Sequence, residues 1–335
     1  MHFSNLIKGC INMIPISKVA AVGILCICAF SAKADTFPNR PVRIIVGFPA
    51  GTGPDIVARL LGQKLSETWS TAVIIDNKPG AGGVIAATEA ARAQPDGYTL
   101  MLGETGQIAI APASYNRLPY DPQRDFTPIS QVATNDFALL VNPEKIPVQD
   151  VKQFIAWSKQ QPKGLFMGSF GAGTPGHFGT YMFGEAIGVP AEPVHYKSTG
   201  DAMSGIMSGD VAATFASMGL SVPNVKAKKL VAIGIASDRR NAALPDVPTF
   251  VEQGFAQLKF NSWYGLFAPA RTPPQVVAKL EADVRRALQA PEVRAKIEAP
   301  GFTATGTSAA EFSKVIASDV GIWAKLVSAT GFKAD

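Results

Sequence analysis

The stretch Val42-Arg-Ile-Ile-Val-Gly-Phe-Pro-Ala-Gly-Thr-Gly-Pro-Asp55 decides the fold class. Residues 42–48 form an apolar run broken only by Arg43, the pattern of a strand covered on both faces. Residues 49–54 are a loop of Gly, Pro, Ala and Thr. Pro54 suits the first turn of a helix, where no N–H is needed. From 55 to 69 the apolar Ile56, Leu60, Leu61 and Leu65 recur at helical spacing. A buried strand feeding a helix through a tight loop is the unit of a parallel α/β sheet.

The rhythm continues outward from there. Residues 72–76 read as a second strand. Pro79-Gly-Ala-Gly-Gly83 turns into an Ala-rich helix ending near Gln94, and 98–102 read as a third strand. An apolar stretch over 129–141 carries a polar break at Asn135-Asp136, and a helix is predicted over 148–160. Then the plan repeats: a strand over 165–170, a Gly-rich loop over 171–176 and a helix over 177–187. Strands over 193–196, 211–215 and 230–236 and a helix over 201–208 complete this half. Residues 261–269 read as an extended crossing back, followed by helices over 274–288 and 309–330. Two similar α/β halves joined by two crossing segments predict a two-lobed, hinged protein. One large doubly wound sheet is the alternative.

The chain has 335 residues, 47% hydrophobic and 17% charged, which suggests roughly two domains with real cores. Its three cysteines, Cys10, Cys26 and Cys28, all lie near the N-terminus. Lys8 and Lys18 precede or flank an apolar run over 19–30, and Ser31-Ala-Lys-Ala34 supplies an A-x-A site. This is the pattern of a secretory signal peptide over residues 1–34, cleaved before Asp35. An uncleaved membrane anchor is the alternative, but the apolar run falls short of the roughly 20 residues a spanning helix needs. Residues 35–335 contain no cysteine and two histidines, His177 and His195. That excludes a disulfide, a thiol nucleophile and a zinc site built from Cys or several His in the mature chain. Its 28 basic residues (31 less the three early lysines) nearly balance 26 acidic ones. No basic block with interleaved aromatics points to nucleic acid.

Each half carries a Gly-rich loop between its first strand and first helix: Phe48-Pro-Ala-Gly-Thr-Gly-Pro-Asp55 and Gly168-Ser-Phe-Gly-Ala-Gly-Thr-Pro-Gly-His177. Glycine admits close approach of a ligand to the backbone, and a helix start offers unpaired N–H groups at the positive end of its dipole. Together they bind anions; plain strand–helix turn chemistry is the competing reading. Neither loop is a nucleotide signature: the first lacks G-x-G-x-x-G spacing, and neither ends in the Lys-Ser/Thr of a P-loop. Met167 stands where a nucleophile elbow around Ser169 needs Gly. No catalytic constellation emerges, so the chain reads as a binding protein without a cofactor. An extracytoplasmic hydrolase or transferase is the runner-up from another class, since it needs a nucleophile with a base in reach.

The segments Phe48-to-Arg59, Asp76-Asn-Lys-Pro-Gly-Ala-Gly-Gly83, Pro95-Asp-Gly-Tyr-Thr-Leu100, Gly168-to-His177, Tyr196-to-Gly200, Leu244-Pro-Asp-Val-Pro-Thr249 and Trp263-Tyr-Gly-Leu-Phe-Ala-Pro269 occur in that order. In this order the chain resembles the solute-binding receptors of tripartite tricarboxylate transporters, the Bug-type periplasmic proteins. The resemblance implies a Venus-flytrap fold, with one lobe over 35–137 plus 260–335 and the other over 138–259. It implies a periplasmic, monomeric receptor that holds a small organic carboxylate in the cleft and serves a small and a large permease subunit. Some receptors of this type serve a sensor ectodomain instead.

The ligand-binding residues so implied are Phe48, Gly51, Thr52, Gly53 and Asp55 in the first loop, and Ser169, Gly171, Ala172, Gly173, Thr174 and His177 in the second. Glu104, Thr105, Gln107, Thr199 and Met218 complete the set. Backbone donation is expected from Gly51, Thr52, Gly53, Ala172, Gly173 and Thr174, with Asp55 mainly ordering its own loop. Several positions depart from the family pattern. Thr52 replaces a middle Gly, Pro54 a Ser or Thr, and Glu104 and Gln107 small polar residues; Phe215-Ala-Ser-Met218 lacks an acidic residue. If Glu104 faces the cleft, it disfavours a second carboxylate on the solute and favours a neutral or amine-bearing monoacid.

Overall fold

The computed structural model describes residues 37–162, 164–196 and 199–335. The expected signal peptide and the three cysteines lie outside the described residues. β1 (Val42–Val46) and its helix α1 (Gly53–Trp69) are followed by β2 (Val73–Asn77), α2 (Val84–Ala91) and β3 (Thr99–Glu104). These strands are parallel, in the order β2-β1-β3. β4 (Phe126–Val141) then runs for 16 residues. α3 (Val151–Ser158) leads into β5 (Leu165–Ser169), α4 (Pro175–Ile187), β6 (Ala191–His195), α5 (Thr199–Ser208) and β7 (Ala213–Ser217). This second parallel set has the matching order β6-β5-β7. After α6 (Met218–Lys226) and β8 (Val231–Ile235), β9 (Asn261–Pro269) returns to the first set beside β3. α7 (Pro274–Gln289), α8 (Pro291–Glu298), β10 (Thr303–Ala304) and α9 (Ala309–Thr330) follow. The result is a two-lobed α/β fold with one plan used twice.

β4 belongs to both sheets. From Phe126 to Asp136 it pairs antiparallel with β9, and from Phe137 onward with β7 and β8. The polar pair Asn135-Asp136, read from sequence as a break, interrupts nothing; it marks the point where the strand changes sheets. Asn135 is buried, yet fully employed. Its Oδ1 accepts from the Met218 N–H (3.1 Å) and its Nδ2 donates to Ser262 Oγ (3.2 Å). A buried amide left without these partners would cost about 1–3 kcal/mol. Its two bonds tie the start of α6 to β9 across the exchange point.

Among the helices that escaped the sequence reading are α6 and α8. α6 contains Pro223, which argues against a helix interior, and α8 opens on Pro291 directly after the end of α7. The long C-terminal helix α9 was legible because its signals agree. Ser308 caps it and Glu311 closes a capping box.

α9 docks on the returning strand β9. Phe312 packs edge-on to Trp263 with ring centroids 5.0 Å apart, and the Trp263 Nε1–H donates to Asp319 Oδ2 at 2.7 Å. Gly265, between these contacts, makes room for the Phe312 ring: a Cβ there would overlap it. Gly265→Ala is therefore expected to destabilise the protein by about 1–3 kcal/mol through overpacking, read as a lower midpoint in chemical denaturation with an unchanged slope. An unaltered midpoint would show that α9 shifts freely on β9.

Candidate functional site

Both Gly-rich loops are built by the same device. In the first, Thr52 holds the N-cap position of α1 with its hydroxyl turned back to Pro49 O (2.6 Å), and Asp55 is the third helical residue. The Asp55 carboxylate reaches back to accept from the Gly51 N–H (2.8 Å). It also accepts from Asn77 Nδ2 (2.9 Å) and from the Arg59 guanidinium (2.9 Å). Burial would raise its pKa, but the bonds from Arg59, Gly51 and Asn77 prevail and hold it below the usual carboxylate value. In the second loop Thr174 caps α4, and His177 is the third helical residue. His177 Nδ1 accepts from the Gly173 N–H at 3.1 Å. Gly51 and Gly173 both adopt positive φ, at 81° and 76°. The backward clasp requires that turn, and glycine adopts it without strain.

These clasps consume donors. The N–H groups of Gly51 and Gly173 are committed to Asp55 and His177, and that of Thr52 to Pro49 O (3.3 Å). The N–H groups of Gly53, Ala172 and Thr174 have no acceptor among the described residues. Several side chains are likewise engaged within the loops. Ser169 Oγ donates to Gly171 O (2.9 Å), and so does Thr174 Oγ1 (2.8 Å). The Thr105 Oγ1 accepts from the Trp263 N–H (3.0 Å). The Phe48 carbonyl accepts from Asn77 Nδ2 (2.9 Å). Thr199 opens α5, and Met218 opens α6 with its side chain buried in the second lobe.

Gln107 is a brace. Its Oε1 accepts from the Glu104 N–H (2.9 Å) and its Nε2 donates to Gly83 O (2.8 Å). The amide lies in a slot between Gly47 and Gly83; a Cβ on either glycine would collide with it. Gln107 thus fixes the end of β3 against the 80–83 turn and the start of the first loop.

His177 is wholly buried among Phe178, Tyr181, His195 and Phe332. Because Nδ1 accepts a hydrogen bond, its proton sits on Nε2, which has no partner among the described residues. Burial and the neighbouring His195 push its pKa down to about 3, so the ring is neutral. Glu104 is a second buried ionisable group with an orphaned atom: 9% exposed, with Oε1 unpartnered among the described residues. Burial pushes its carboxyl up to about 7, opposed by the Gly106 N–H.

Two aromatic residues that sequence reasoning missed complete the region. A Cβ on Gly53 would lie 2.7 Å from the Tyr264 hydroxyl and 3.1 Å from Phe302. A Cβ on Gly219 would lie 2.8 Å from the same Phe302 ring. Phe302 therefore sits between the starts of α1 and α6, and Tyr264 aims its hydroxyl at the start of α1. The Trp263-Tyr264 motif was visible in the sequence, but no pattern there connects it to Gly53. The second loop also reaches the first lobe: Gly173 O lies 3.7 Å from where a Gly106 Cβ would stand, and Ala172 O lies 3.9 Å from a Gly82 Cβ. Among the described residues no group of three or more His, Cys, Asp or Glu could hold a metal ion.

The family model for the tripartite tricarboxylate transporter family receptor matches residues 57–332. The chain belongs to this receptor family. Solved structures of similar chains agree with the assignment. The periplasmic binding protein BugD is 30% identical, with a TM-score of 0.80 over 89% of this chain and 99% of that one. MatC from Rhodopseudomonas palustris, solved with bound malate, is 31% identical, with a TM-score of 0.78 over 87% and 100%. A second R. palustris protein, solved with adipate, is 30% identical, with a TM-score of 0.83 over 89% and 99%. The matches are receptors and periplasmic binding proteins, not enzymes, and the two-lobed fold expected from the repeated α/β plan is theirs.

Two substitutions test the receptor's loop chemistry. Asp55→Ala removes a buried carboxylate that accepts from Gly51, Asn77 and Arg59 and is expected to cost about 1–3 kcal/mol at neutral pH. Since the folded state holds this carboxyl below its unfolded value, that contribution is present at neutral pH and disappears as pH falls below the carboxylate range. Denaturation of both proteins at pH 7 and pH 3 should show the gap closing. Glu104 has the opposite sign. Its folded pKa lies above its unfolded value, so its burial opposes folding at high pH and ceases to do so as pH falls below about 4.5. Glu104→Gln is expected to stabilise the ligand-free protein at pH 8.5, by at most about 3 kcal/mol, and to be near neutral at pH 4.5. Equal effects at both pH values would contradict this.

Proposed function

We propose that this receptor captures a small organic carboxylate between its two Gly-rich loops in the periplasm and delivers it to a tripartite tricarboxylate-type permease. The observation that carries the reading is the pair of helix starts with matching clasps. Each leaves N–H donors without an acceptor, Gly53 in one loop and Ala172 and Thr174 in the other. Unpaired donors at a helix N-terminus favour an anion. The malate and adipate held by two similar proteins are carboxylates. The donors taken to meet the solute are thus Gly53, Ala172 and Thr174, while Gly51, Thr52 and Gly173 shape the loops. Asp55, Gln107 and His177 act as positioning residues.

The lobes are taken as residues 35–137 with 260–335, and residues 138–259. The exchange of β4 between sheets after Asp136 supports that division. The proposed partners are the small and large membrane subunits of the transporter, and the N-terminal 34 residues are taken as the export signal.

Charge-assisted hydrogen bonds from these three donors, at roughly 1.5–3 kcal/mol each, would little more than offset a loss of translational and rotational freedom of at least about 4 kcal/mol. Micromolar affinity needs about −8 kcal/mol, so lobe closure and contacts to the rest of the solute must contribute. Mass spectrometry of protein purified without added ligand is expected to find a retained organic acid. The same acid at a hundredfold excess over Kd should raise the melting temperature by about 4 °C. No retained acid, and no shift with any member of a broad carboxylate panel, would sink the proposal.

A further inference from the structure

Glu104 stands at the C-terminal end of β3, on the side the second lobe approaches. Its Oε1 and the Gly173 carbonyl oxygen converge on the same point beside Gly106, 2.6 Å and 3.7 Å from where a Cβ would stand. Gly106, having no side chain, lets both oxygens come this close. The Ala172 carbonyl approaches the first lobe nearby, at Gly82. The corner is thus lined by acceptors: one unpartnered carboxyl oxygen and carbonyls from the opposite loop. Two of the side-chain donors near it are engaged elsewhere, the Gln107 amide on Gly83 O and the Tyr120 hydroxyl on Gln107 O.

We propose that Glu104 and the Gly173 carbonyl form a subsite for the ammonium group of an amine-bearing monocarboxylate. The assignment rests on the receptor reading above and adds the second functional group of the solute. An ammonium supplies three donors and a positive charge. It satisfies Oε1, bridges the two lobes through Gly173, and leaves the carboxylate of the solute to the helix starts. A second carboxylate in this corner would face carbonyl dipoles and a carboxyl that must stay protonated, which selects against it.

The two solute classes have opposite pH signatures. Free Glu104, with its carboxyl raised to about 7, must lose its proton to meet an ammonium. Affinity for an amine-bearing acid therefore rises with pH and levels off above 7. A dicarboxylate needs the protonated form, so its affinity falls over the same range. The groups that face Glu104 do not confuse this. Tyr120 and Tyr264 are raised by burial and stay neutral, and His177, behind Gly173, stays neutral too.

Calorimetric titration of the wild type and of Glu104→Gln at pH 6 and pH 8 tests the assignment. The probes are β-alanine, 4-aminobutyrate and proline against malate and adipate. At least one amine-bearing acid is expected to bind about tenfold more tightly at pH 8 than at pH 6, and to lose at least that factor in Glu104→Gln. If the variant does not fold, the direction of the wild-type pH dependence decides. A dicarboxylate that binds while no amine-bearing acid does overturns the ammonium subsite and leaves the receptor reading standing. An amine-bearing acid whose affinity ignores both pH and the substitution also overturns the subsite. If none of the probes binds and no organic acid is retained on purification, both readings fall.

Discussion

Strand β4 is the constraint on which the molecule depends. Its 16 residues serve two sheets, pairing first with β9 and then with β7 and β8. Every backbone N–H and C=O inside a sheet needs a partner, and each one lost in the interior is costly. Separating the two halves of the fold would therefore mean breaking a strand in mid-run. The ladder is irregular at Pro128/Ser130, Gln131/Ala133 and Leu139/Leu140. Bulges of this kind increase local twist. They give the shared strand places to turn, with the ladder resuming on either side. Asn135 and Ser262 hold the exchange point, and α9 presses Phe312 against the other connecting strand. The lobes are thereby hinged on continuous backbone rather than on a flexible linker.

The clasp in each Gly-rich loop depends on the reach of an acceptor rather than on its charge. The third residue of each helix, Asp55 or His177, bends its loop by binding an N–H four residues earlier. An anionic carboxylate and a neutral imidazole perform the same task, because both present an acceptor at the right reach. That explains why His177 is buried and neutral: its work is to accept one hydrogen bond, and a proton on Nδ1 would end it.

Much of the plan was legible in the sequence, and the residues show why. The run Val42-to-Val46 is buried on both faces, and α9 carries its own cap and periodicity, so local signals coincide with the final structure. Asn135-Asp136 misled because polarity was read as an interruption, whereas a strand passing between sheets supplies its polar residues with partners from three elements. Pro223 hid α6 for a similar reason: local preference was overridden by packing. At the site the glycine loops announced themselves, but their division of labour did not. Whether the Gly51 N–H faces a solute or Asp55 depends on a contact across four residues that no spacing rule separates from a simple helix start. Tyr264 and Phe302 were invisible as site residues, since they meet Gly53 only through the return of β9 and the β10 segment.

The Gln107 slot carries an implication for how such receptors diverge. Gln107 holds position 104 by its main-chain N–H, and Gly47 and Gly83 leave room for no other arrangement. The loop path is therefore set independently of the side chain at 104. On the proposed role of Glu104, an exchange there alters what the cleft welcomes while the framework that presents it is inherited intact. In a duplicated gene, that single codon separates the history of the ligand from the history of the fold.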